Sequence, residues 1–145
     1  MSVDATRAVR LTRRIEADRQ AVWDAWTKPE HMTKWACPAP DGVESVTTDF
    51  RVGGSFVLAM EVDGKRHTAV GTYREIDEPR RLVYTWDWEE EENRMGETIV
   101  TVELTARGAA TDVVLVHEGF PVEEARAGHE QGWNLCLEHF EALFA

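Results

Sequence analysis

The sequence predicts an α+β fold in which a curved antiparallel sheet wraps round one long C-terminal helix, and three observations carry that expectation. Between Val43 and Glu118, Gly and Asp turns recur at short intervals, which is the rhythm of hairpin-linked strands rather than of βαβ crossovers. Within those intervals apolar residues alternate with polar ones. After Pro121 the period changes, and Val122, Ala125, His129, Trp133, Cys136, Phe140 and Leu143 recur at spacings of three and four, with Glu residues on the other faces. Such a helix must lay its apolar side against the sheet.

The elements follow in order. Val9, Leu11 and Ile15 alternate with Arg10, Thr12 and Arg14, so a first strand is expected over Ala8 to Glu16. Asp18 can accept from the free N–H groups of a short helix on which Val22, Ala25 and Trp26 share a face. Thr27-Lys28-Pro29-Glu30 has capping-box spacing with Pro near the first helical position, predicting a second short helix to about Trp35. The stretch Cys37-Pro38-Ala39-Pro40-Asp41-Gly42 ends it. Six strands follow, turning at Gly53-Gly54, Asp63-Gly64, Glu78-Pro79-Arg80, Asn93 to Gly96 and Arg107-Gly108. One apolar face is Phe56, Leu58, Met60 and Val62; a second is Leu82, Tyr84, Trp86 and Trp88; a third is Val100, Val102 and Leu104. Gly53-Gly54 reads as a hairpin turn needing positive φ, since only a strand follows it and no helix with a Lys-Ser or Lys-Thr start. The long helix is expected over Pro121 to Ala145. No composition shift marks a boundary, so residues 1–145 are read as one domain.

Charge narrows the partners. Lys and Arg number 16 against 27 Asp and Glu, a net charge of −11, which repels phosphate backbones and argues against nucleic-acid binding. No apolar run is long enough to span a membrane. Cys37 and Cys136 form neither a C-x-x-C pair nor a zinc pattern, and the chain opens with Met1-Ser2-Val3-Asp4 rather than a basic and then apolar leader, so a reduced, cytoplasmic setting is expected. His31 and Cys37 would need two further ligands that the sequence does not announce, and Glu89 to Glu92 reads as a solvated hairpin, so neither metal nor cofactor is expected.

A curved sheet gripping a helix leaves a gap, and there an apolar pocket with a few polar groups is expected. Trp35, Trp86 and Trp133 converge on it from the second helix, the sheet and the long helix, with Met60 beside them, and Trp88 falls near its mouth. His117 closes the strand face Thr111, Val113, Leu115, and His129 precedes Trp133 by one helical turn. Both imidazoles should look inward and orient a polar group of a ligand. Cys136 should be buried and inert, whereas Cys37, in a loop at the pocket entrance, should be the more reactive thiol. No nucleophile stands beside either His, and no catalytic residue is assigned.

These residues resemble a known family. Val22-Trp23-Asp24-Ala25-Trp26-Thr27 before Pro29-Glu30-His31, then Trp35, Arg51-Val52-Gly53-Gly54-Ser55-Phe56, Leu82-Val83-Tyr84-Thr85-Trp86, and His129 with Gly132-Trp133 are together similar to the START-like, or helix-grip (SRPBCC), superfamily. Within it the chain resembles the branch named after the activator of the heat-shock-protein-90 ATPase homologue. The resemblance implies a hydrophobic cavity between sheet and long helix that holds a lipid or another apolar small molecule. It leaves open an enzyme, such as a cyclase or hydrolase using a cavity His, and an interaction protein that modulates a chaperone or other ATPase. An uncovered edge strand leaves a homodimer open.

Overall fold

The computed structural model describes residues 8–145; the opening Met1-Ser2-Val3-Asp4 lies outside the described residues. The chain runs β1 (Val9–Ile15), α1 (Arg19–Thr27), α2 (Pro29–Met32), β2 (Val43–Thr48), β3 (Ser55–Val62), β4 (Lys65–Asp77), β5 (Arg81–Trp88), β6 (Thr98–Arg107), β7 (Ala110–Glu118) and α3 (Glu123–Ala142), with a 3₁₀ turn at Glu91–Asn93. The seven strands form one sheet in the order β1-β7-β6-β5-β4-β3-β2. All neighbours are antiparallel. The meander accounts for six strands, and β1 joins beside the last of them, Val9 opposite His117 and Ile15 opposite Thr111.

The period-2 patterns become the inner face of the sheet. Phe56, Leu58 and Met60 on β3, Leu82, Tyr84 and Trp86 on β5, Val100, Val102 and Leu104 on β6, and Val113 and Leu115 on β7 are all buried. Asp18 caps α1 as its sequence position predicts, its Oδ1 accepting from the Ala21 N–H at 2.9 Å. That cap contributes about 1 kcal/mol.

The structure corrects four local expectations. The second helix stops at Met32 instead of Trp35, with Lys28 as N-cap and no side-chain capping bond. Thr27 turns back into α1, its hydroxyl donating to the Trp23 carbonyl at 2.9 Å, so the Thr27–Glu30 capping box does not form. Beyond Met32 the chain tightens into turns that let the Trp35 indole donate to the Ala25 carbonyl at 2.8 Å, and Pro38 then forbids further helix. Of the Gly53-Gly54 pair only Gly53 has positive φ; at Gly54 a Cβ would collide with the Asp49 carbonyl oxygen. The long helix is shorter than Pro121 to Ala145, and Val122 and Leu143, placed on its apolar stripe by spacing, are exposed by 53% and 36%.

The buried residues of α3 are Trp133, Cys136, Leu137 and Phe140, all in its C-terminal half. That half is packed against Trp26 and Trp35, with Phe140 5.2 and 5.0 Å from their ring centres. From β1, Arg13 binds it by a 2.6 Å hydrogen bond to Asn134 and a 2.9 Å ion pair with Glu141. The N-terminal half buries no side chain fully. There α3 turns Ala125, Gly128 and Gly132 toward the sheet, and small residues leave a gap.

Candidate ligand cavity

That gap is a cavity of about 520 Å³, within the roughly 300–1,000 Å³ of small-molecule sites. Five of the six tryptophans face it: Trp26, Trp35, Trp86, Trp88 and Trp133. Phe56, Tyr73 and Tyr84 complete an aromatic floor on β3, β4 and β5. The mouth lies between the β5–β6 connection, which contributes Glu92, Asn93 and Arg94, and the start of α3 at Pro121, Val122 and Glu124.

Of the six residues the sequence singled out, Trp35, Met60, Trp86, His129 and Trp133 line this cavity and His117 does not. His117 is fully buried behind Trp86 and Trp133, with ring centres 6.0 and 6.1 Å away. The strand face does point inward, but the two indoles stand between its last residue and the open space. Trp88 lines the cavity half-buried, as its position near the acidic hairpin suggested.

The two imidazoles do come together, ring centres 5.4 Å apart. Each is bonded to an indole from the opposite layer: Trp133 of α3 donates to His117 Nδ1 at 3.0 Å, and Trp88 of β5 donates to His129 Nε2 at 3.0 Å. An indole N–H only donates, which fixes both tautomers. His117 carries its proton on Nε2 and gives it to the Thr98 hydroxyl at 2.7 Å, which in turn donates to the Trp86 carbonyl at 2.5 Å. His129 carries its proton on Nδ1 and gives it to the Ala125 carbonyl at 2.7 Å. Burial lowers the pKa of both; for His117 the neighbouring His129 adds to the shift, and for His129 the Ala125 bond partly opposes it. Both are therefore neutral near pH 7. With both nitrogens of each ring engaged, the pair ties helix to sheet and offers no free nitrogen to a molecule in the cavity.

Sequence reasoning missed Thr98, whose alternation gives no sign that its hydroxyl bridges a buried His to a carbonyl, and Tyr73, which lies on the long strand β4 without a clean apolar face. Tyr73 pairs with Tyr84 across β4 and β5. Burial pushes the Tyr73 hydroxyl up to about 12, and Tyr84 is raised further by burial despite the bond from Trp26. The Trp86 indole N–H is buried and has no partner among the described residues, an omission that costs about 1–3 kcal/mol.

Cys37 is a correction. Its side chain is buried, its Sγ donating to the Glu61 carbonyl at 3.9 Å, and burial raises its pKa, so it is not an exposed thiol at the entrance. The segment after Trp35 folds inward because Gly42 packs against the Cys37 sulfur. Cys136 is buried in the cavity wall and raised further, chiefly by burial. Among the described residues, no group of three or more His, Cys, Asp or Glu is placed to hold a metal ion. None of the described helices is long and apolar enough to cross a membrane.

A curved antiparallel sheet closed by a C-terminal helix over an aromatic cavity defines the START-like helix-grip class. Residues 16–145 match the family model described as Activator of Hsp90 ATPase homolog 1-like protein, and the chain belongs to that family. Solved structures of similar fold include protein NE0264 from Nitrosomonas europaea, with a TM-score of 0.81 and 23% identity over 97% of this chain and 96% of that one. Protein CV1439 from Chromobacterium violaceum has a TM-score of 0.80 and 26% identity over 95% and 96%. A protein from Arthrobacter aurescens, solved by NMR, has a TM-score of 0.81 and 23% identity over 99% and 91%. No curated protein matches the sequence. Fold and family support a ligand-binding or modulator role in general terms.

Proposed function

We propose that the protein binds a hydrophobic or aromatic small molecule between its sheet and α3. The observation that carries this reading is the cavity of about 520 Å³ walled by five indoles. A plain core would close such a space, because protein interiors pack like organic crystals and a void forfeits dispersion contacts. Trp35, Met60, Trp86 and Trp133 supply apolar contact, and His129 holds Trp88 in place at one side. An enzyme using a cavity His has less support, since both nitrogens of each imidazole are already bonded. A role in modulating a chaperone or another ATPase rests on the family name alone.

Gly128 provides the test. It sits on α3 at the cavity with open space where a Cβ would project, and a helical Gly costs about 0.8–1.0 kcal/mol relative to Ala. Gly128→Leu should keep or raise stability while filling the gap. Titration with N-phenyl-1-naphthylamine, a neutral probe excited by energy transfer from Trp, should give one site per chain in the wild type and at least tenfold weaker binding in the variant. Equal binding by both proteins would place the probe outside the cavity. A native mass spectrum of freshly purified protein should also carry an adduct of a few hundred daltons if a cellular ligand is retained.

A further inference from the structure

The polar groups left unused on the cavity floor share one character. Trp26, Trp35, Trp88 and Trp133 have each spent their indole N–H on Tyr84, the Ala25 carbonyl, His129 and His117. Three groups remain. The Trp86 N–H has no partner among the described residues, but it is buried from the cavity as well as from solvent. The Tyr84 oxygen accepts from Trp26 at 3.4 Å, but its own hydrogen goes to no acceptor among the described residues. The Tyr73 hydroxyl has no hydrogen-bond partner among them.

These groups are neighbours. Tyr73 stands opposite Tyr84 across β4 and β5, and Trp86, two residues further along β5, lies on the same face. Phe56 lies among them, 5.8, 5.4 and 6.0 Å from the three ring centres. An indole can only donate, and the raised pKa of each Tyr keeps its proton in place. The imidazole acceptors are already taken by Trp88 and Trp133. Among the described residues no Lys or Arg reaches this floor; Arg94 is at the mouth with Glu92 and Glu124, in a chain of net charge −11.

We infer that the cavity selects a neutral, largely apolar ligand carrying a hydrogen-bond acceptor, of the aromatic ketone, quinone or lactone kind, whose oxygen meets the hydroxyl donors of Tyr73 and Tyr84. This rests on the cavity reading above and adds the ligand's polarity to it. A carboxylate has no cation among the described residues to neutralise it on the floor and meets two carboxylates against one guanidinium at the mouth, and burying it unpaired is far costlier than burying a carbonyl that accepts hydrogen bonds. A pure hydrocarbon fills the space but leaves the donors unmet.

Three probes on one tricyclic frame separate these cases: 9-fluorenone, fluorene and fluorene-9-carboxylate, each displacing N-phenyl-1-naphthylamine from wild type, from Tyr73→Phe, and from Tyr73→Phe/Tyr84→Phe. The wild type should bind the ketone tighter than either other probe. In the double variant the ratio of the fluorene to the fluorenone Kd should fall at least tenfold. Tyr73→Phe, which breaks no bond within the protein, should move the ratio in the same direction. The C=O stretch of bound fluorenone should lie below its position in hexane for the wild type and move back toward it in the double variant. An unchanged ratio with an unshifted stretch, or tighter binding of the carboxylate, overturns the inference while leaving the cavity as a site. Failure of both fluorene and fluorenone to bind overturns the cavity reading and this inference with it.

Discussion

Trp133 Nε1 lies 3.0 Å from His117 Nδ1, and this bond ties α3 to β7 only while the imidazole is neutral. Protonation would set an N–H against an N–H. The same holds for Trp88 and His129 in the opposite sense, strand indole to helix imidazole.

A pH dependence follows with a definite sign. Both His pKa values are lowered in the folded chain, so below about 6.5, where His in the unfolded chain takes up protons, the unfolded state binds more of them and stability falls with pH. Above that value the contribution is fully present. Each imidazole contributes a slope of up to about 1.4 kcal/mol per pH unit within the window. The carboxylates with lowered values, Glu90 and Asp112, act at lower pH. Urea unfolding at pH 7.5, 6.5 and 5.5 should show little change over the first step and a clear loss over the second. A flat profile to pH 5.5 would contradict the buried neutral pair.

The tautomers give a sharper check on the same geometry. Long-range proton–nitrogen NMR spectra at pH 7, with the five His assigned, should show His117 protonated at Nε2 and His129 protonated at Nδ1. Assignment of His117 to the Nδ1–H form or of His129 to the Nε2–H form, or rapid exchange between forms in either ring, would mean that the indole bonds do not hold in solution.

Thr98 and Trp133 should act as a unit because both bond the His117 ring. Thr98→Val leaves the Nε2–H without an acceptor, and Trp133→Phe leaves Nδ1 without a donor. Each should cost about 1–3 kcal/mol, beyond any packing effect. The double variant should lose less than the two single losses added, by about 0.5 kcal/mol or more. Strict additivity in urea unfolding would show that the hydroxyl and the indole do not communicate through the imidazole.

How far such relations can be read in advance depends on what the sequence encodes locally. The faces Phe56-Leu58-Met60 and Val100-Val102-Leu104 are legible because a strand's side chains alternate by geometry, and one buried side then forces one pattern. The end of α2 is not, because the Trp35 indole is drawn to the Ala25 carbonyl on another helix, a tertiary bond that overrides local helix signals. Trp35, Trp86 and Trp133 were legible as converging, since each falls on the inward side of an element. That His117 stands behind two of them depends on side-chain size and reach, which periodicity does not carry. Cys37 failed for a related reason, as a loop after Trp35 reads as exposed until Gly42 lets it fold inward.

Both thiols should be slow to react in the native protein. Burial is the leading cause of the raised pKa at Cys37 and at Cys136, so little thiolate is present near pH 8. Labelling with a disulfide reagent should proceed at most slowly in buffer and should rapidly reach two thiols per chain in strong denaturant. Prompt labelling of one thiol in buffer would show that the Cys37 segment opens in solution.

Gly71 is where the sheet least tolerates a side chain. It lies on β4 between the pair Val70–Asp87 and the pair Tyr73–Tyr84, and a Cβ there would fall within contact distance of the Thr85 carbonyl oxygen and of the Phe56 ring. A backbone oxygen cannot swing aside as a side-chain tip can, so Gly71→Ala must separate β4 from β5. The Thr85 hydroxyl, which accepts from the Thr72 N–H at 2.8 Å, would lose its partner in that separation. The loss should reach at least the 1–3 kcal/mol typical of overpacking, roughly the reverse of the modest gain expected for Gly128→Ala, where the space is open. Because Phe56 also lines the cavity, Gly71→Ala should weaken probe binding even at temperatures where the variant remains folded. Urea midpoints and naphthylamine titrations of the two alanine variants side by side test this. A Gly71→Ala protein as stable as the wild type, with unchanged binding, would show that β4 and β5 are not packed as closely as this geometry requires.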